Sequence, residues 1–184
     1  MHKDEFWQLY AHNGEPLSDG KHPSYLGNPS PDENKIYGIV LVFLYRIVDG
    51  DIELLFQKRS ETVDRFPNLW DISAGGHVNF EESILTTAVR ESREEIGASI
   101  LPEEMQYGFS DLDSSRFTTT FLCDWTGKKD SFSFADGEVS EVKWVKLSES
   151  DDFRHKFCKP RVASDELYFT TLKNWFKVNG YLDK

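Results

Sequence analysis

Apolar and polar positions alternate in several short blocks along this chain and switch to helical spacing in two others. Residues 5–11 (Glu-Phe-Trp-Gln-Leu-Tyr-Ala) alternate loosely before His12-Asn13-Gly14-Glu15-Pro16, which predicts a strand, a turn and a short return. Residues 20–34 are rich in Gly, Pro, Ser and Asn and read as a surface loop. Residues 36–48 form a continuous run of β-formers, and Asp49-Gly50 then offers a hairpin turn into residues 52–58. A loop at 60–70 leads to a short strand at 71–74, which delivers the chain to Gly75-Gly76. Residues 82–96 contain no Gly or Pro. Ile84, Leu85, Ala88, Val89, Ser92 and Ile96 recur there at helical spacing, and Gly97 supplies a stop. Residues 117–125, with Thr118, Thr119 and Thr120, predict another strand. A turn at 127–131, a brief pairing at 132–134 and a strand at 138–147 follow. Residues 165–178 carry Leu167, Tyr168, Leu172, Trp175 and Phe176 at helical spacing, closed by Gly180. This order predicts an α/β (α+β) fold, a mixed central sheet held between helices in an α/β/α sandwich. Residues 1–34 read as a hairpin and loop appended to a core of residues 35–184, one globular domain overall.

The helix at 82–96 carries the candidate chemistry. At about 100° per residue, Glu91, Glu94 and Glu95 fall on one side of it. Carboxylates crowded in this way repel one another, so a bare helix gains nothing from them. A helix that binds divalent cations does gain, because carboxylate oxygens suit hard ions such as Mg²⁺ or Mn²⁺. Arg90 adjoins the cluster and neutralises or orients one member. A solvated acidic face is the ordinary fate of a run such as Arg-Glu-Ser-Arg-Glu-Glu. That reading leaves Gly76 and Gly97, on either side, unexplained.

Gly76, Glu82, Arg90, Glu91, Glu94, Glu95 and Gly97 together make the spacing G-x5-E-x7-R-E-x2-E-E-x-G. At usage of about 5–7% per residue type, it arises by chance roughly a few times in a billion. The spacing resembles the signature of the Nudix hydrolases. Ser92 stands where that signature prefers an apolar residue, and its hydroxyl needs a partner in the helix packing. The resemblance implies hydrolysis of a diphosphate linkage in a nucleoside diphosphate derivative. Glu91, Glu94 and Glu95 would bind one to three Mg²⁺ or Mn²⁺ ions, with the carbonyl of Gly75 as a further ligand. Metals in that position activate water and neutralise charge on phosphate. The carboxylate that takes the proton is Glu91, or else Glu138 or Glu141 of the Glu-Val-x-Glu segment before Trp144. Charged residues at a strand end are also commonly just solvent-facing. Arg90 would orient a carboxylate, and Glu82 would support metal-bound water or the loop.

Similarity extends beyond this motif, to residues 5–147. Gln57-Lys58-Arg59-Ser60, residues 66–78 and the opening hairpin resemble the Nudix branch related to isopentenyl-diphosphate isomerase. Such isomerases place a catalytic cysteine before the Gly-His pair, where this chain has Gly75. Their early metal-binding histidine has Tyr37 as its counterpart, and residues 115–122 hold no carboxylate to match their acidic ligand. They also tend to lose the Arg-Glu-x-x-Glu-Glu core that is whole here. Glycine can fill no nucleophile or acid role, so hydrolysis is the expected activity. A nucleotide-binding regulatory protein without catalysis is the alternative from a different class.

Two further residues are candidates for substrate contact. Arg59 shares a strand face with Gln57, opposite to Lys58. It matches phosphate geometry, or it pairs with the carboxylate helix, which is the favoured role. His77 follows Gly76 and lines the pocket or serves packing. Substrate selection would fall to loops at 20–34, 60–70, 100–116 and 126–137, and Tyr25, Tyr37, Phe66 and Trp70 are aromatics able to stack on a base.

Composition narrows the setting. The chain has 184 residues, 39% of them hydrophobic and 14% aromatic, enough for one domain with a real core. Its formal net charge is −11, with no basic stripe for a nucleic-acid polymer. Metal ions would supply positive charge for a small-molecule diphosphate substrate. No apolar run suggests a membrane span, and the first residues are no secretory signal. Cys123 and Cys158 are then expected as reduced thiols of a cytoplasmic protein. An N-terminal hairpin can mediate a homodimer.

Overall fold

The long apolar run becomes the strand around which the sheet is assembled. The computed structural model describes residues 5–28, 35–113 and 115–182. Its elements in chain order are β1 (Phe6–Tyr10), β2 (Pro16–Pro23), β3 (Ile36–Val48), β4 (Asp51–Arg59), β5 (Trp70–Asp71), β6 (Ala74–His77), α1 (Ile84–Ile96), β7 (Met105–Leu112), β8 (Arg116–Asp124), β9 (Val139–Lys146), α2 (Ser150–Phe157), α3 (Pro160–Ser164) and α4 (Glu166–Val178). β3 pairs in parallel with β8, from Tyr37 opposite Arg116 to Tyr45 opposite Asp124. Its pairings with β1, β4 and β6 are antiparallel, as are those of β4 with β5 and β9. The sheet is therefore mixed. The turn between β3 and β4 has φ 52° at Asp49 and 85° at Gly50, the two positive values that a tight hairpin of primed type requires.

Alternation along β3 divides the core in two. Val40, Val42 and Leu44 pack with Ala88 and Ile96 of α1 on one face. Phe43 and Tyr45 pack with Phe169, Leu172 and Phe176 of α4 on the other. Helices thus cover both faces, the sandwich expected from element order. Ser92 sits at the first interface and resolves its hydroxyl within the helix by donating to Ala88 O (2.8 Å).

Several elements differ from expectation. The return of the first hairpin is long, because β2 stays paired with β1 as far as Pro23 opposite Phe6. The rest of the expected loop, residues 29–34, lies outside the described residues. The strand expected at 71–74 is split into β5 and β6. Between them Ser73 Oγ donates to Leu55 O (2.6 Å) and accepts from Leu44 N–H (2.9 Å), occupying the place of a strand pairing. Residues 132–134 form no strand. Ser133 N–H instead donates to Ile96 O (3.1 Å), and Phe132 and Phe134 pack on the α1-side core. β7 occupies residues 105–112 of the span read as a loop at 100–116. α2 and α3 are additional and are held by Arg154, which is fully buried, donates to Ala163 O and ion-pairs with Asp151 and Glu166. Cys123 and Cys158 are free and buried. Among the described residues no helix is long and apolar enough to cross a membrane.

Candidate active site

The site begins with how α1 is fixed. Ser83 caps its N-terminus, with Oγ accepting from Thr86 N–H (3.1 Å). Gly97 ends it at φ 67°, the left-handed conformation that favours glycine. The helix lies so close to β6 that a Cβ at Gly76 would fall 2.1 Å from Glu91 Oε1. The two glycines that an acidic surface helix left unexplained are therefore positional. One ends the helix and the other makes room for a carboxylate.

Arg90 gathers the acidic groups. Its Nε and Nη2 donate to Glu82, its Nη1 donates to Glu91 (2.8 Å) and Glu94 (2.9 Å), and its Nη2 also reaches His77 O (3.2 Å). Glu82 accepts from Thr87 Oγ1 as well (2.9 Å), so it anchors the arginine to the start of α1. Glu95 is buried, and its Oε2 accepts from Gly75 N–H (2.9 Å) and Gln57 Nε2 (3.0 Å). Burial, and then the neighbouring charge of Glu91, hold the Glu95 carboxyl well above the usual range. Burial likewise pushes Glu91 up to about 7, against the pull of Arg90. Glu94 is half exposed.

These groups open on a cleft of about 780 Å³. Gly75, Gly76, Arg90, Glu91, Glu94 and Glu95 form its floor. Arg59 and Glu138 lie on one side of it, at the adjoining ends of β4 and β9. Arg59 does not pair with α1 as expected. Its Nε donates to Arg65 O (3.0 Å) in the following loop, and among the described residues it makes no ion pair. Glu141 lies opposite Lys58 across the β4–β9 pairing, 3.9 Å from its ammonium, and does not line the cleft. His77 lines it with one edge while stacking on Trp7, centroids 3.5 Å apart and planes at 3°. Burial, helped by Arg116 and His22, lowers His77 to about 4.

Sequence reasoning missed Glu5, Trp7, Asn79 and Asp136, all of which line the cleft. Asp136 could have been sought in the Asp-Gly-Glu turn before β9, but nothing local says that this turn meets α1. Burial raises its carboxyl, and Glu94 adds to the effect. None of the four aromatics proposed for base stacking lines the cleft. Tyr37 is buried, Trp70 packs on Phe153, and Tyr25 and Phe66 are exposed elsewhere.

Among the described residues, no three acidic, His or Cys side chains converge as a ready-made metal cage. Glu91 and Glu94 are turned to Arg90, and Glu95 to Gly75 and Gln57. The donor chemistry nevertheless fits a hard divalent cation. All three carboxylates reach one cleft, two are held above their usual range, and Gln57 Oε1 beside Glu95 is buried without a partner.

Residues 39–164 match the family model described as NUDIX domain. The chain is 37% identical over 99 residues to YfcD of Escherichia coli K12, described as an uncharacterized Nudix hydrolase, with 53% of each protein covered. The chain thus spans about half the length of the curated relatives it matches. Among solved structures, DR0079 from Deinococcus radiodurans superposes with a TM-score of 0.68 at 21% identity, covering 86% of this chain and 95% of that one. The NUDIX domain of Shewanella oneidensis NrtR, solved with ADP ribose, superposes with a TM-score of 0.54 at 20% identity, covering 82% and 95%. At these identities the structural likeness establishes the fold.

Proposed function

This chain belongs to the Nudix family, and from that premise we propose that it hydrolyses a diphosphate linkage in a nucleoside diphosphate derivative or related small molecule, using divalent cations. The observation that carries the reading is the placement of Glu91, Glu94 and Glu95 on one cleft floor, with Gly76 vacated beneath Glu91. Glu91, Glu94 and Glu95, with the Gly75 carbonyl, would hold Mg²⁺ or Mn²⁺. When bound, such an ion neutralises phosphate charge and lowers the pKa of an attacking water.

The remaining roles belong to the protein. Arg90 holds Glu91 and Glu94 in register with α1, and Glu82 holds Arg90. Arg59, with no carboxylate partner among the described residues, takes a substrate phosphate. Glu91 or Glu138 accepts the proton of the water, and Glu141 drops out because it faces Lys58. His77 supports the wall of the cleft through its stack on Trp7. A homodimer would use the edge of β2, which among the described residues pairs with β1 alone.

The likeness to the isomerase-related branch does not bring isomerase chemistry with it. At Gly75 a Cβ would fall 2.6 Å from Val40 O, so no thiol fits in that place. Neither cysteine lines the cleft. The test is phosphate release from a panel of nucleoside diphosphates, triphosphates, dinucleotides and nucleotide sugars, with and without Mg²⁺ or Mn²⁺. Metal-dependent release that disappears in the Glu94→Gln/Glu95→Gln double variant supports the hydrolase. No release by folded wild-type protein overturns it in favour of nucleotide binding without catalysis.

A further inference from the structure

Glu95 is held differently from the other two carboxylates of α1. Glu91 and Glu94 accept from the Arg90 guanidinium, a cation that offsets their charge. Among the described residues Glu95 accepts only from neutral donors, the Gln57 side-chain amide (3.0 Å) and the Gly75 N–H (2.9 Å). Both reach the same atom, Oε2. No donor among the described residues takes Oε1, and Glu95 lines the cleft. One oxygen is committed to the protein and the other is left to the site.

The sheet fixes Gln57 in the position that makes this division. It lies in β4 between Asp71 of β5 and Val142 of β9, paired on both sides. Its neighbours alternate, with Leu55 in the α1-side core and Phe56 in the other, so the strand presents Gln57 to α1. The residue is 2% exposed, which confines its rotamers. Its amide keeps the nitrogen on Glu95 although its own Oε1 is buried without a partner. A reversed amide would set an oxygen against the carboxylate, so Glu95 decides which way the amide faces.

The number of free carboxylate oxygens bears on the choice of cation. Ca²⁺ takes about six to eight oxygens in flexible geometry and often grips a carboxylate by both, whereas Mg²⁺ demands a compact octahedral set. A carboxylate with one oxygen withheld serves the smaller ion and denies the larger its second bond. Resting on the divalent-cation reading of the cleft, we infer that Gln57 is a positioning residue that makes Glu95 a one-oxygen ligand and thereby sets a preference for Mg²⁺ or Mn²⁺ over Ca²⁺. It acts through Glu95 and does not line the cleft itself. Without its amide, Oε2 keeps only the Gly75 N–H, and the carboxylate is free to turn both oxygens to an ion.

Mn²⁺ titration followed by electron paramagnetic resonance, which counts the free ion, tests this without turnover. Mg²⁺ and Ca²⁺ are added as competitors, and the Glu94→Gln/Glu95→Gln double variant gives the background of the acidic surface. Gln57→Met fills similar space without a donor. It should bind Mn²⁺ and Mg²⁺ about tenfold more weakly, the usual scale for a lost supporting hydrogen bond, with Ca²⁺ changed by about twofold or less. A merely structural glutamine would weaken all three ions alike or not at all, and either result overturns the inference. Gln57→Asn, whose amide stops one methylene short, should show the same change in preference and decides the matter if Gln57→Met fails to fold. Wild-type protein that binds no more Mn²⁺ than the double variant removes the divalent-cation reading and this inference with it. A wild-type site whose ion preference survives in both Gln57 variants leaves that reading standing and removes only the role of Gln57.

Discussion

At Gly76 the cost of a single methyl group falls on Glu91. An alanine there must displace the Glu91 carboxylate, because its Cβ would lie 2.1 Å from Oε1. Displacement breaks the Arg90–Glu91 contact and moves a group whose placement the chemistry needs. A misplacement of about 1 Å can cost on the order of a hundredfold in rate. Gly76→Ala should therefore lose about that much kcat with its circular dichroism unchanged, and near-normal kcat would mean that Glu91 has room to spare. His77 makes a second residue-scale prediction, about stability. Its folded value of about 4 lies below the ordinary 6.5, so the unfolded chain binds the proton more readily. The stability contributed by the neutral ring is complete above about pH 6.5 and is lost as pH falls toward 4, up to about 3 kcal/mol. His77→Phe keeps the stack on Trp7 and removes the titration. Denaturant titrations from pH 7.5 to 4.5 should show wild type losing stability relative to the variant, and parallel curves would refute the assignment.

Elements differed in how openly the sequence announced them. α1 was legible because its apolar stripe, its seven spaced residues and Gly97 all act within one stretch of chain, and the β3–β4 hairpin because Asp49-Gly50 suits only one kind of turn. β7 was not legible. Among the described residues it pairs with β8 alone, and it shifts register between Tyr107 and Phe109 and leaves much of its surface exposed, so no period-two pattern is imposed on it. α2 and α3 are short and polar, and Arg154, a residue type that reads as surface, is their buried anchor. The floor of the cleft was local in sequence and its walls were not, which is why Glu91, Glu94 and Glu95 were found while Trp7, Asn79 and Asp136 were missed. Ser83 tests how far α1 depends on its own ends. The cap was hidden next to Glu82, so the helix starts at Ile84, two residues later than the uninterrupted stretch implied. Ser83→Ala removes the acceptor for Thr86 N–H and should cost about 1 kcal/mol. A urea midpoint shifted down with an unchanged slope is the expected reading, and an unshifted midpoint would mean that packing on β6 alone holds the helix.

For the whole molecule the governing quantity is charge. The chain carries a formal −11, and its cleft concentrates Glu5, Glu91, Glu94, Glu95, Asp136 and Glu138 against Arg59 and an Arg90 already engaged by three carboxylates. A diphosphate entering such a cleft meets repulsion unless cations arrive with it, and burial, with neighbouring carboxylates as a smaller cause, already raises Glu91 and Glu95. Cation binding should consequently stabilise the fold, since a ligand bound only by the native state shifts unfolding by mass action, about 2.7 kcal/mol at a hundred times its Kd. For a domain of this size that is a rise in Tm of roughly 5–10 °C. Protein dialysed against EDTA should melt lower than the same protein in Mg²⁺ or Mn²⁺, with ionic strength matched by NaCl. The Glu94→Gln/Glu95→Gln variant should show little of the difference. General screening of −11 charges would raise both proteins alike and would respond to NaCl as well as to Mg²⁺. Only a wild-type rise specific to the divalent ion separates a cation held at α1 from an acidic surface relieved by salt.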